Sequence, residues 1–179
     1  TAQAAAISKS QITTGLGTAQ IAALSTAAVA VLSTAQIAGF SELQFKALTT
    51  AQVAGLTTSQ VSQLTSDRVK SMTTAQVGQG LTTSHIANLR VEQIAALTTA
   101  QVNQGLTTEQ LQVLTTTGLT ALAPMQVGSL TTQQIAQGLS TTQISALSGN
   151  QVLGLTTAQV RLGLTTDQLV ALTTAQAAV

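Results

Sequence analysis

The sequence predicts an all-α solenoid of very short, capped helices, and three observations carry that prediction. A unit of eight or nine residues repeats in tandem along almost the whole chain. Each unit contains a complete helix-start signal. The apolar positions of the unit cannot line up as a stripe on one continuous helix, so the chain must turn after every unit.

The repeat comes first. Positions 49–56 read TTAQVAGL, 57–64 read TTSQVSQL and 165–172 read TTDQLVAL. At this phase residues 8–172 divide into twenty consecutive units, fifteen of eight residues and five of nine, the longer ones ending at Leu16, Leu81, Leu106, Leu139 and Leu164. The closing residue is Leu in eighteen units and Phe40 or Met72 in the others, and position 5 is Ile, Val, Leu or Phe in all twenty. Position 4 is Gln in sixteen units and position 1 is Ser or Thr in seventeen. Residues 1–7 and 173–179 form partial units, so residues 1–179 read as a single array without linker or domain boundary.

Ser or Thr at position 1 with Gln three residues later is a capping box, and the apolar residues before the cap and at position 5 form a hydrophobic staple. Pro124, the one proline, falls at position 2, the first helical residue, where a missing N–H costs nothing. All five acids, Glu42, Asp67, Glu92, Glu109 and Asp167, stand at position 2 or 3, where the helix dipole favours negative charge. Eight of thirteen glycines directly precede the closing Leu or Phe, which reads as helix-terminating punctuation.

A helix of about six residues is unstable alone, since isolated helices shorter than about 12–15 residues are marginal in water. Burial of the side chains at positions 5 and 8, at about 1.5–3 kcal/mol each, has to supply the difference. On one long helix the closing leucines would advance about 800° per octad and spiral around the axis. Coiling is therefore required, with Leu and Val expected inside and Thr and Gln outside. The nine-residue units beginning at Thr73, Thr98, Thr131 and Thr156 are spaced 25, 33 and 25 residues apart, which suggests about three helices per superhelical turn, although the first half of the chain lacks that spacing. A β-solenoid is the alternative, because Thr and Val favour strands. It would place positions 5 and 8 on opposite faces, and the Ala and Gln content, Pro124 and the acids all favour helices.

Composition excludes several functions. Charged residues make up 6 % and the net charge is +1, leaving no basic patch for nucleic acid. There is no Cys, hence no disulfide or thiolate metal site. A hydrophobic content of 44 % argues against disorder. The most apolar window, residues 21–40, keeps the repeat phase through Ser25, Thr26, Ser33, Thr34 and Gln36, so no membrane span is expected. The start at Thr1, without Met or a signal sequence, reads as a processed or excised chain.

No catalytic, cofactor-binding or metal-ligating residue is assigned, no cofactor is expected, and an enzyme is not. His85, the one histidine, replaces the usual Gln of its unit and has no partner at ligand spacing, so it reads as an exposed substitution. Thr1 lacks an activating neighbour for an N-terminal nucleophile. Gly78-Gln79-Gly80 resembles a phosphate loop only superficially. Asp67, Arg68 and Lys70 form a local charge cluster that reads as a solvated surface. Thr occupies position 2 in fourteen units, so Thr and Gln rows would offer a periodic outer face for another copy, a glycan or ice.

The LTTAQV and LTTAQI units resemble repeat regions of very large secreted or surface proteins of Gram-negative bacteria, of the adhesin or repeat-in-toxin type. The resemblance implies export, a cell-surface or matrix location and an architectural role. The Gly-Asp-rich Ca²⁺ nonapeptides and the adhesive head of such proteins have no counterpart here. The functional expectation is a structural subunit that polymerises head to tail with itself into an extracellular filament or biofilm-matrix fibre. The alternatives are a passive stalk within a large surface adhesin, and a Thr/Gln-face binding module for glycan or ice.

Overall fold

The computed structural model describes residues 8–173 and Gln176. Thr1, the partial unit 1–7 and most of the partial unit 173–179 lie outside the described residues. Twenty helices of four to seven residues follow one another in register with the repeat, and no strand occurs among the described residues. The β-solenoid alternative is excluded.

Local chemistry sets each helix. In all seventeen units that begin with Ser or Thr, the hydroxyl accepts the backbone N–H of position 4, as Thr49 does from Gln52 at 3.1 Å and Thr107 from Gln110 at 3.2 Å. The acids lie in first turns and Pro124 opens its helix, as the phase requires. An octad closes with a tight bond from the last residue to position 5, for example Leu56 N–H to the Val53 carbonyl at 3.1 Å. Three of the nine-residue units absorb their extra residue as a π turn, in which Leu81, Leu106 and Leu164 donate five residues back to Gln76, Gln101 and Gln159. The other two extend the α-helix to seven residues, Lys9–Gly15 and Thr132–Gly138.

Stacking joins each helix to the third one along: Thr26–Ala30 meets Thr50–Ala54, which meets Gln76–Gly80, which meets Gln101–Gly105. The superhelix therefore has three helices per turn throughout. In the first half, where octads follow one another, a turn takes 24 residues instead of 25, so the three-fold coil is kept without nine-residue units.

The core is a continuous column of position-5 and position-8 side chains. Val53, Val77, Val102, Val127 and Ile135 are completely buried, and the closing Leu48, Leu64, Leu81, Leu106 and Leu130 are 2–4 % exposed. Each turn covers the apolar side chains of the one before it, which is why no helix needs to persist alone.

The glycines have a different role from the one their position suggests. No described glycine has a positive φ, and Gly39, Gly55 and Gly154 are right-handed helical caps. At several of them the constraint is space between turns. A Cβ on Gly80 would lie 2.9 Å from the Val53 side chain, and one on Gly138 3.0 Å from Leu111. The corner itself consists of two extended residues, such as Leu81 and Thr82, and needs no left-handed residue.

Candidate functional site: buried glutamine clasps and an outer threonine row

The glutamines of position 4 are not on the outer face. Gln52, Gln76, Gln101, Gln110, Gln143 and Gln159 are 2–3 % exposed, which overturns the expectation that Gln lines the surface with Thr. Their location follows from two sets of unpaired backbone groups. A short helix leaves N–H groups unpaired at its start and carbonyls unpaired at its end. The Gln Oε1 accepts the N–H of the cap residue in its own unit, as in Thr98 N–H to Gln101 at 2.7 Å. Its Nε2 reaches the helix end four units earlier, donating to the Val69 carbonyl at 2.9 Å and the Met72 carbonyl at 2.8 Å.

The same pair of bonds recurs from Gln44, whose amide meets the carbonyls of Ile12 and Leu16, to Gln176, which meets those of Ile144 and Leu147. With three helices per turn, the fourth unit back ends at the corner directly beneath the start of the Gln helix. At each of these corners one amide therefore ties two successive turns together, and no buried side-chain polar atom among the described residues lacks a partner.

Exceptions to Gln at position 4 show what the clasp requires. His85, expected to be exposed, is 3 % exposed and reproduces the clasp: Nδ1 accepts the Thr82 N–H at 3.2 Å and Nε2 lies 2.8 Å from the Leu56 carbonyl. Arg68 spans to the Phe40 carbonyl at 2.5 Å, with its guanidinium 5.2 Å from the centre of the Phe45 ring. This residue of the charge cluster is thus committed to packing as well as to solvent. Gly118 has no side chain to offer, so the Ile86 and Leu89 carbonyls, its counterparts by spacing, receive no such donor. Gly118→Gln is expected to stabilise the array by about 1–2 kcal/mol, from about 1 kcal/mol of helix propensity and about 0.5–1.5 kcal/mol per new bond, less the cost of turning the Ile94 side chain aside. The Ile94 Cδ1 lies 2.7 Å from the position a Cβ would take. A rise in the urea midpoint at unchanged slope checks it.

The clasp is half legible in the sequence. Ser or Thr followed by Gln signals the capping bond, but the amide's second bond spans 28 to 33 residues and leaves no local signature.

The outer surface carries little chemistry. On one of the three faces position 2 is Lys9 and then Thr in every unit, Thr34, Thr58, Thr83, Thr108, Thr132 and Thr157, each exposed or half-buried. The other two faces interrupt their threonines with Glu42, Ser66 and Val91, and with Pro124 and Gly149. A shallow recess of about 520 Å³ is lined by Thr99, Asn103, Ser129, Thr132, Thr156 and other uncharged residues. A second, of about 500 Å³, gathers Glu42, Lys46, Asp67 and Lys70. There Lys46 bonds Glu42 at 2.7 Å and holds its carboxyl below the usual carboxylate range. Both partners are exposed, so the pair adds little stability.

Gly78-Gln79-Gly80 belongs to a π turn, with Gly78 pressed on the Gly105 carbonyl. Among the described residues no group of three or more His, Cys, Asp or Glu is placed to hold a metal ion, and no helix is long and apolar enough to cross a membrane.

Comparison with known proteins fits this picture at the level of the repeat. No curated protein and no solved structure matches the chain. The family model for the ALTTAQ repeat matches it twice in succession, at residues 14–42 and 43–74. The chain is a tandem-repeat protein, built as a solenoid of short helices, whose first units match the ALTTAQ repeat.

Proposed function

We propose that the chain is a non-enzymatic structural rod, and that copies of it add head to tail into an extracellular filament. The observation that carries this reading is the difference between the two faces of a turn. One face presents glutamine amides, as Gln101 presents its Nε2 to the Val69 and Met72 carbonyls of the turn before. The opposite face presents apolar side chains and helix-end carbonyls. Covering by the following turn seals position 5 of interior turns, as at Val77 and Val102. Amides and carbonyls on such faces are complementary, and any turn of the same repeat supplies both. A second copy therefore satisfies an exposed turn as well as the next turn of the same chain does. Such a heterologous contact propagates as an open fibre when its rotation does not close.

The same complementarity serves a stalk, in which successive turns are joined covalently within one long surface protein. Extracellular placement rests on the resemblance of the LTTAQ units to secreted repeat regions. Electron microscopy and light scattering of the purified chain over a wide concentration range separate the readings. Fibres one solenoid wide that lengthen with concentration, and are abolished by Leu169→Glu, are expected. Monodisperse monomers at the highest concentration overturn the filament and leave the stalk. Binding of glycan or ice by the wild-type chain that is lost on substituting Thr83 and Thr108 by Ala, with no fibres formed, would favour a binding module on the threonine row.

A further inference from the structure

His85 replaces an untitratable clasp with a titratable one. Its two ring nitrogens face groups of opposite kind, since the Thr82 backbone N–H is only a donor and the Leu56 carbonyl only an acceptor. Nδ1 must therefore be bare and Nε2 must carry the hydrogen, which is the neutral imidazole. We infer that His85 is an acid-sensitive catch in the array: a proton on Nδ1 sets two N–H groups against each other and releases the corner between Leu56 and the helix Thr83–Ala87.

Other groups do not obscure the effect. The helices packed on Thr83–Ala87 are Thr58–Ser62, which bears no titratable side chain, and Thr108–Gln112, which bears only Glu109. Glu109 is exposed, and its own backbone N–H and the Thr107 hydroxyl hold its carboxyl below the ordinary value, so it stays charged through the mildly acidic range. In the next unit Arg90 pairs with Glu92 at 3.0 Å. Every glutamine clasp is indifferent to pH in this range.

Burial pushes His85 below its ordinary value of 6.5, outweighing the bond to the Leu56 carbonyl, which acts the other way. The folded array thus binds this proton less readily than the unfolded chain does. Its contribution is complete above the unfolded value and is lost as pH falls below it. The opening constant of this turn then rises as pH falls below 6.5, by at most about tenfold per pH unit.

Hydrogen exchange of the peptide covering residues 82–89, corrected for the intrinsic pH dependence of exchange and measured on monomeric wild-type chain, reads this directly. Protection is expected to fall between pH 7.5 and pH 5, by no more than about thirtyfold, while His85→Gln, which restores the common clasp residue, keeps it constant. An equal fall in His85→Gln, or none in the wild type, overturns the inference. So does an NMR titration of the wild-type His85 ring with a midpoint at or above 6.5. The result is independent of whether copies associate.

Discussion

Gln101→Leu is expected to destabilise the array by about 3 kcal/mol or more, even though it keeps the side-chain volume and adds hydrophobicity. The substitution leaves three backbone groups without a partner, the Thr98 N–H and the carbonyls of Lys70 and Met72, and strips a second donor from the Val69 carbonyl, which keeps the Met72 N–H. Each buried group left unpaired costs about 1–3 kcal/mol. Because Gln101 is 2 % exposed, water cannot replace the amide without opening the corner. Gln11→Leu is the control. Gln11 is exposed and its Oε1 accepts the Ser8 N–H at 2.8 Å, but its amide clasps no earlier turn among the described residues. Its loss should cost no more than a cap, about 1 kcal/mol. Denaturant titrations at neutral pH compare the two. Near-equal midpoints would mean that the second bond of the clasp contributes nothing. In a quasi-one-dimensional array a broken corner also weakens coupling between its two sides, so the Gln101 variant should show a broader transition.

Gly78→Ala is expected to destabilise by about 1–3 kcal/mol, whereas helix propensity alone would have it stabilise by about 1 kcal/mol. The reason is a single distance: a Cβ at Gly78 would stand 2.3 Å from the Gly105 carbonyl oxygen, and a backbone atom cannot swing aside as a side chain can. Gly128 repeats the arrangement against the Gly154 carbonyl, also at 2.3 Å, so Gly128→Ala should behave alike. Gly55 offers the opposite case. Its φ is −78° and the nearest atoms to an added Cβ are 3.4 Å away. Gly55→Ala should therefore be neutral or stabilising by up to about 1 kcal/mol. Thermal melts of the three variants test the sign directly, and a stabilised Gly78→Ala would refute the close approach of these two turns.

These glycines mark the boundary of what the sequence reveals. Gly55 precedes the closing Leu56 and Gly78 does not, so sequence punctuation singles out the one that tolerates a side chain and passes over the one that does not. Gly55 does end its helix, but neither position has the positive φ that would require a glycine. His85 and Gln101 teach the same lesson. Polar residues at one face of a short helix read as solvent-facing by composition, but a coil of three helices per turn places that face over the corner beneath.

The sequence by itself determined the phase of the repeat, the start of every helix and the need to coil. The Thr49 hydroxyl, the Gln52 amide oxygen, Pro124 and the first-turn acids all act within three residues of where they stand, so local chemistry suffices to place them. Only the tertiary structure decided which polar groups are buried, which glycines bear a neighbouring turn and why position 4 is Gln. Those answers depend on contacts 25 to 33 residues apart, set by how many helices complete a turn. That number comes from packing between turns, where the 24- and 25-residue coils both bring each corner over the one below.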